Sequence, residues 1–166
     1  MQTLMQRVTF DTALGRCAVR WRDGLLTGFE LPEAAAAITD CATPPPEIVA
    51  VMERVRRHLA GRYEDFSDLA YDFSAVPDFQ AAVLRATLDV KPGQTRSYGE
   101  IAAAIGQPPA VSRAVGAALG ANRWPLLIPC HRIIAANGRM TGFSGPGGVR
   151  AKTRLLALEG AQLLSE

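Results

Sequence analysis

Three consecutive residues carry chemistry of their own: the thiol of Cys130, the imidazole of His131 and the guanidinium of Arg132. They sit inside an apolar run, with Leu126-Leu127-Ile128-Pro129 before them and Ile133-Ile134 after. A thiol is a nucleophile only as its thiolate, and a neighbouring imidazole can take the proton, directly or through a water. A short Leu/Ile run with proline at one end predicts a buried extended segment. Pro129 fixes its own φ and steers Ile128 away from helix, so the chain must bend just before the cysteine. The expectation is a thiol held rigidly at the wall of a pocket. Metal binding is the poorer reading, because adjacent side chains diverge and no second Cys or His nearby completes a four-ligand shell. A buried structural cysteine beside a hydrogen-bonded histidine is the commoner fate of such a pair, and the dipeptide alone leaves it open.

The rest of the chain has to position that segment. At 166 residues and 48% apolar composition it can bury a real core, as one large domain or two small ones. No apolar run approaches transmembrane length, and the first residues show no hydrophobic signal core, so no membrane association is expected. An odd count of three cysteines argues against a disulfide framework and for a reducing, cytoplasmic setting. Cys17 and Cys41 show no metal spacing even with His58, and read as plain packed or surface thiols. Charge is lopsided: residues 1–76 carry eight Lys/Arg against eleven Asp/Glu, and residues 77–166 carry ten against five. Between Lys91 and Arg154 there are nine basic residues and a single acid, Glu100. This suits a C-terminal part that neutralises a polyanion, although a solvated basic face would look the same.

Short strands are expected over 8–10, 16–22 and 25–31, with Asp23-Gly24 as a tight-hairpin signal. A short helix is predicted over 33–39. After Pro44-Pro45-Pro46, an amphipathic helix over 47–60 carries Ile48, Met52, Val55 and Leu59 on one stripe. Residues 65–77 read as a polar connection. Asp78 is expected to cap a helix over 79–90, with Phe79, Val83 and Leu84 inward. Ser97 caps a helix over 98–105; Gly106-Gln107-Pro108-Pro109 turns the chain; a helix over 110–120 aligns Val111, Val115 and Leu119. Helix, Gly-containing turn, helix is the helix-turn-helix pattern, whose second helix reads DNA. That second helix is thin: Ala114, Gly116, Ala117 and Ala118 favour close approach to another backbone, and Gly116 costs stability that alanine would keep. Asn137-Gly138 marks a further hairpin, and the Gly-rich stretch 141–148 lacks the Lys-Ser/Thr ending of a phosphate loop.

Ile128-Pro129-Cys130-His131-Arg132-Ile133-Ile134 resembles the active-site signature of the O6-alkylguanine-DNA alkyltransferases, the methylated-DNA–protein-cysteine methyltransferases. It stands in an ordered set with Arg96-Ser97-Tyr98-Gly99-Glu100, Ser112-Arg113-Ala114-Val115-Gly116, Asn122, Gly142-Phe143-Ser144-Gly145 and Leu158-Glu159-Gly160. The resemblance covers residues 77–161 and reaches the N-terminal half only loosely. It implies an α/β N-terminal domain over 1–76, a small antiparallel sheet plus helices of ribonuclease-H-like type, followed by a mainly α-helical domain over 77–166 with the helix-turn-helix. The implied activity is single-turnover transfer of an alkyl group from O6-alkylguanine in double-stranded DNA to Cys130, with the base flipped out of the stack. The implied protein is a monomer without metal or organic cofactor.

The site residues follow by resemblance too. His131 activates Cys130 through a water, Glu159 orients the imidazole, Tyr98 crowds the neighbouring phosphate and gives a proton to the leaving purine, and Asn122 braces the turn bearing the cysteine. Arg113 enters the duplex in place of the extruded base, in the minor groove, with Ser112, Ala114, Gly116 and Arg123 also at the DNA. The base pocket is formed by Cys130, Ile133, Phe143, Ser144 and Gly145, the carbonyls of Cys130 and Ile133 reading guanine's edge. Departures from the commoner family pattern are the longer stretch 145–148 and Phe143 in place of a frequent tyrosine. The alternative is a helix-turn-helix damage binder in which Cys130 is structural.

Overall fold

The computed structural model describes residues 6–32, 34–36, 43–135 and 148–160. Three strands, β1 (Gln6–Thr12), β2 (Gly15–Arg22) and β3 (Leu25–Glu30), form an antiparallel meander in the order β1-β2-β3. Asp23 and Gly24 join β2 to β3 with φ of 53° and 78°, and Arg22 pairs directly with Leu25. Two left-handed residues match the right-handed strand twist, and Asp and Gly tolerate them best, so this hairpin follows from local chemistry. Helix α1 (Pro46–Leu59) starts with a proline in its first turn, packs on β1 and β2, and buries Ile48, Val51, Met52, Val55, His58 and Leu59. Of the helix expected over 33–39, Ala34–Ala36 form one 3-10 turn; residues 33 and 37–39 lie outside the described ones.

The second half is built on α2 (Asp78–Thr87), α3 (Tyr98–Ala104) and α4 (Ser112–Gly120), which pack against one another, with α5 (Gly148–Leu158) over the Cys130 turn. Two expectations for α2 need correction. Asp78 is the first helical residue and makes no cap, and Phe79 is 37% exposed while Ala81 takes a buried place. Ser97 caps α3 as expected, within a reciprocal capping box with Glu100. Two-residue strands β4 (Arg96–Ser97) and β5 (Ile133–Ile134) pair in parallel, which ties the start of α3 to the chain just after Cys130.

The run expected to be an extended segment is buried but not extended. The backbone N–H of Ile128 donates to Trp124 O, Leu126 takes a left-handed φ of 77°, and Cys130–Arg132 form a 3-10 turn. Both halves share one apolar cluster. At their meeting point Trp124 donates its indole N–H to Leu26 O at 3.0 Å and Phe29 N–H bonds Arg123 O at 2.8 Å. Among the described residues no helix is long and apolar enough to cross a membrane.

Candidate active site

Cys130 opens its 3-10 turn and is only 7% exposed. Asn122 holds the turn from within: its Nδ2 donates to Ile128 O at 3.0 Å and its Oδ1 accepts from Trp124 N at 2.9 Å. The same side chain reaches the thiol. Burial pushes the Cys130 thiol up from its ordinary pKa, and the Asn122 hydrogen bond and the Lys152 charge oppose that only in part. The resting cysteine is therefore a thiol, not a thiolate.

His131 is fully buried and bonds Glu159 Oε1 through Nε2 at 2.9 Å. Its Nδ1, equally buried, has no hydrogen-bond partner among the described residues. With Nε2–H given to the carboxylate, Nδ1 carries the lone pair, which makes it the proton acceptor of the ring. Burial pushes the imidazole pKa down, against the pull of Glu159, so the ring rests neutral and able to act as a base.

Glu159 lies just past α5, 3% exposed, with four donors on its two oxygens. Oε1 accepts from His131 and from Arg132 Nε at 2.8 Å; Oε2 accepts from Arg132 Nη2 at 2.5 Å and from His58 Nε2 at 2.7 Å. Burial alone would raise its pKa, but these partners outweigh it and hold the carboxyl well below the usual range. Arg132 spends its remaining reach on Val90 O at 2.6 Å.

Sequence reasoning passed over three of these residues. His58, set aside as part of an incomplete metal site, arrives from α1, 101 residues before its partner. Arg132 is a structural clamp. Lys152 is 1% exposed, donates to Ile133 O, and sits 5.7 Å from the Tyr98 ring centroid. Burial lowers its pKa to about 8, against the attraction of Cys130. A signal was present: Lys152, Leu155, Leu156 and Glu159 share the spacing of one helix stripe, where two charges among leucines require partners.

Tyr98 stands at the N-terminus of α3, half-buried, its ring carbons 3.8 and 4.0 Å from where a Cβ on Gly116 would lie. Arg113, Ala114 and Arg123 are exposed, and the half-buried Ser112 bonds Pro109 O. Asn122 and Lys152 thus reach Cys130, Lys152 also reaches the Tyr98 ring, and His131, the next residue in the chain, is bonded to Glu159. Ile133 is buried, and its carbonyl already accepts from Lys152, as the Cys130 carbonyl does from Ile133 N–H; each keeps its second lone pair for a ligand. Phe143, Ser144 and Gly145 lie outside the described residues, as does the hairpin at Asn137-Gly138. Of the basic residues between 91 and 154, Arg132 and Lys152 are buried, whereas Arg96, Arg113, Arg123 and Arg154 are exposed. Cys17 is fully buried with its thiol pushed up to about 11, which leaves it inert.

The family described as 6-O-methylguanine DNA methyltransferase, DNA binding domain, matches residues 78–161. A methylated-DNA–protein-cysteine methyltransferase of Mycolicibacterium paratuberculosis is 37% identical over 91% of this chain and 90% of its own length. One from Methanothermobacter thermautotrophicus is 35% identical over 87% of this chain and 80% of its own. Among solved structures, the Mycobacterium tuberculosis O6-methylguanine methyltransferase superposes with a TM-score of 0.77 at 32% identity, covering 98% of this chain and 97% of that one. A structure of Mycobacterium tuberculosis OGT in complex with DNA gives 0.77 at 36% identity, over 92% and 91% of the two chains. With Cys130 and His131 buried in the turn where the family signature falls, His131 bonded to Glu159, and relatives matched over most of their length, this chain belongs to the methylated-DNA–protein-cysteine methyltransferase family.

Proposed function

We propose that the chain repairs O6-alkylated guanine in duplex DNA by moving the alkyl group onto Cys130. The observation that carries this reading is the buried thiol beside an imidazole whose Nε2 is fixed on an ionised carboxylate while its Nδ1 stays available. An alkyl group on O6 lies inside the stacked duplex, so the nucleotide has to rotate out, at a cost of about a few kcal/mol. Helices α3 and α4 serve as the helix-turn-helix, with α4 in the minor groove. Arg113 fills the vacated stack, and Ser112, Ala114, Gly116 and Arg123 lie against the strands. That the Mycobacterium tuberculosis relative is known in complex with DNA supports a DNA-binding role for the chain.

In the reaction, the Cys130 S–H proton passes to His131 Nδ1, through a water. The sulfur lone pair forms the S–C bond as the C–O6 bond breaks and its electrons stay on guanine. Tyr98 donates a proton to the purine, and the imidazolium's proton makes up that loss, so one proton moves overall from thiol to guanine. Lys152 and Asn122 stabilise the thiolate as it forms. The product is a thioether that no group in the site can reverse, so each molecule acts once. The base sits against Cys130 and Ile133, closed over by Phe143, Ser144 and Gly145. The ribonuclease-H-like N-terminal domain, 1–76, supports the catalytic domain, 77–166, and the protein works as a cytoplasmic monomer. A damage binder with a structural cysteine would need Glu159 only as the counter-charge of the buried Arg132, and would have no use for a bond from that carboxylate to the imidazole next to the thiol.

The test is intact mass after incubation with a duplex containing O6-methylguanine. The chain gains one methyl group, saturating at one per molecule, and Cys130→Ala gains none. No gain in the wild type, or turnover beyond one lesion per chain, refutes the proposal.

A further inference from the structure

The relay has a member from outside the catalytic half. His58 sits on the last turn of α1, 1% exposed, with its ring tilted against Tyr63 at 5.7 Å and Phe66 at 5.3 Å. Its two nitrogens are assigned by their partners. The backbone N–H of Glu64 donates to Nδ1 at 3.0 Å, so Nδ1 is the acceptor and Nε2 carries the hydrogen it gives to Glu159 Oε2 at 2.7 Å. Protonating Nδ1 would set two donors against each other, so this tautomer is locked. Any buried histidine needs its nitrogens bonded; what bears on function is the partner, since the proton on Nε2 is aimed at the carboxylate that His131 also bonds.

We infer that His58 is a positioning residue for alkyl transfer: as a neutral donor from the N-terminal half it fixes the plane of the Glu159 carboxylate, and through it the orientation of His131. The geometry gives the reason. Arg132 bonds both oxygens of Glu159, and His131 bonds only Oε1. His58 is the second bond on Oε2, opposite His131, so it resists rotation of the carboxylate about its own axis. The charged and titratable groups facing it are Glu159, Arg132 and His131 on one side and Tyr63 with the Glu64 backbone on the other. Losing His58's proton donor also leaves more charge on the carboxylate for His131, which makes His131 harder to keep neutral.

The inference rests on the relay proposed above, and its test separates the two. Single-turnover transfer from O6-methylguanine duplex is measured across pH for wild type, His58→Phe, His58→Gln and Glu159→Gln, alongside urea stability and affinity for unmodified duplex. His58→Phe keeps the ring packing but removes the donor. Loss of one hydrogen bond to a charged group predicts transfer about tenfold slower, with the acid limb of the pH profile moved upward and duplex affinity unchanged. His58→Gln, which restores an N–H at the same reach, recovers rate and acid limb to within about twofold of wild type. If His58→Phe transfers with wild-type rate and pH profile while Glu159→Gln is slow, the His58 role is wrong and the relay stands. If both transfer normally, the relay itself fails. If Phe and Gln at 58 are equally slow, the residue acts by packing and the inference is overturned.

Discussion

Replacing Glu159 by glutamine tests whether the buried carboxylate serves chemistry or only the fold. Each of its oxygens accepts two donors, His131 and Arg132 on Oε1 and His58 and Arg132 on Oε2. Whichever way the glutamine amide turns, its NH2 faces two N–H groups, and the Arg132 charge stays buried without a counter-charge. Breaking a buried pair from one side costs about 3–5 kcal/mol. At roughly 2–4 °C per kcal/mol for a chain of this size, the melting temperature falls by about 6–20 °C. Transfer falls further than stability accounts for, because His131 loses the group that fixes its tautomer; a positioned general base contributes about 100-fold or more. Arg132→Met breaks the same ion pair from the other end but leaves the His131–Glu159 bond in place. It should lose comparable stability but slow transfer less than Glu159→Gln does, since His58 and His131 still bond the carboxylate. Single-turnover methyl transfer is followed at a temperature where urea titration shows every variant folded. Wild-type transfer in folded Glu159→Gln, or equal losses in both variants, would refute the argument.

Gly116→Ala separates packing from DNA approach. A Cβ there meets Tyr98 ring carbons at 3.8 and 4.0 Å, ordinary contact, so the protein itself does not require glycine. The substitution should stabilise the fold by about 0.5–1 kcal/mol and weaken duplex binding, read by urea titration and fluorescence anisotropy; undiminished affinity would remove α4 from the groove. Stability against pH is set by the same cluster. His131 has a pKa below its ordinary 6.5 in the folded state and Glu159 one below its ordinary 4.5, so in both cases the unfolded chain binds more protons. The His131 contribution is whole above about pH 6.5 and is lost as pH falls below it, by up to about 1.4 kcal/mol per pH unit; the Glu159 contribution is lost in the same direction below about pH 4.5. Unfolding midpoints that stay flat between pH 7 and 5 would contradict a neutral, buried His131.

What was legible in the sequence was local. The Asp23-Gly24 turn, the Ser97 cap and the Cys130-His131-Arg132 triplet each depend on neighbours within a few positions, where turn and capping chemistry decides the outcome. The errors and omissions are long-range. Leu126 adopts a left-handed φ because burial of its side chain outweighs a strain of about 1–2 kcal/mol, so a run that reads as a strand becomes a turn. Phe79 is more apolar than Ala81, yet Ala81 is buried and Phe79 is exposed on α2, a helix that packs against α3 and α4. His58 could not be assigned from its surroundings, because the carboxylate it meets lies 101 residues further along the chain. The basic excess was a mixed signal: Arg132 and Lys152, counted among it, turn inward to hold the site together.

A protein that is consumed by one reaction gains from a nucleophile that is quiet until the correct lesion arrives, and the cluster is built that way. Burial holds Cys130 protonated, which protects it from stray electrophiles and from oxidation, since both attack the thiolate. The groups that could ionise it are present but restrained: burial lowers the pKa of Lys152 and lowers that of His131, which makes the imidazole a weaker base. An everted purine changes this balance, because charge developing on guanine offers the proton a destination and the sulfur a carbon to bond. Ionisation and attack are then one event, triggered by occupancy of the site. On the proposed relay, the four donors on Glu159 have a consequence for chemistry as well as for the fold: a carboxylate that can neither rotate nor pick up a proton keeps its bond to His131 when the proton moves.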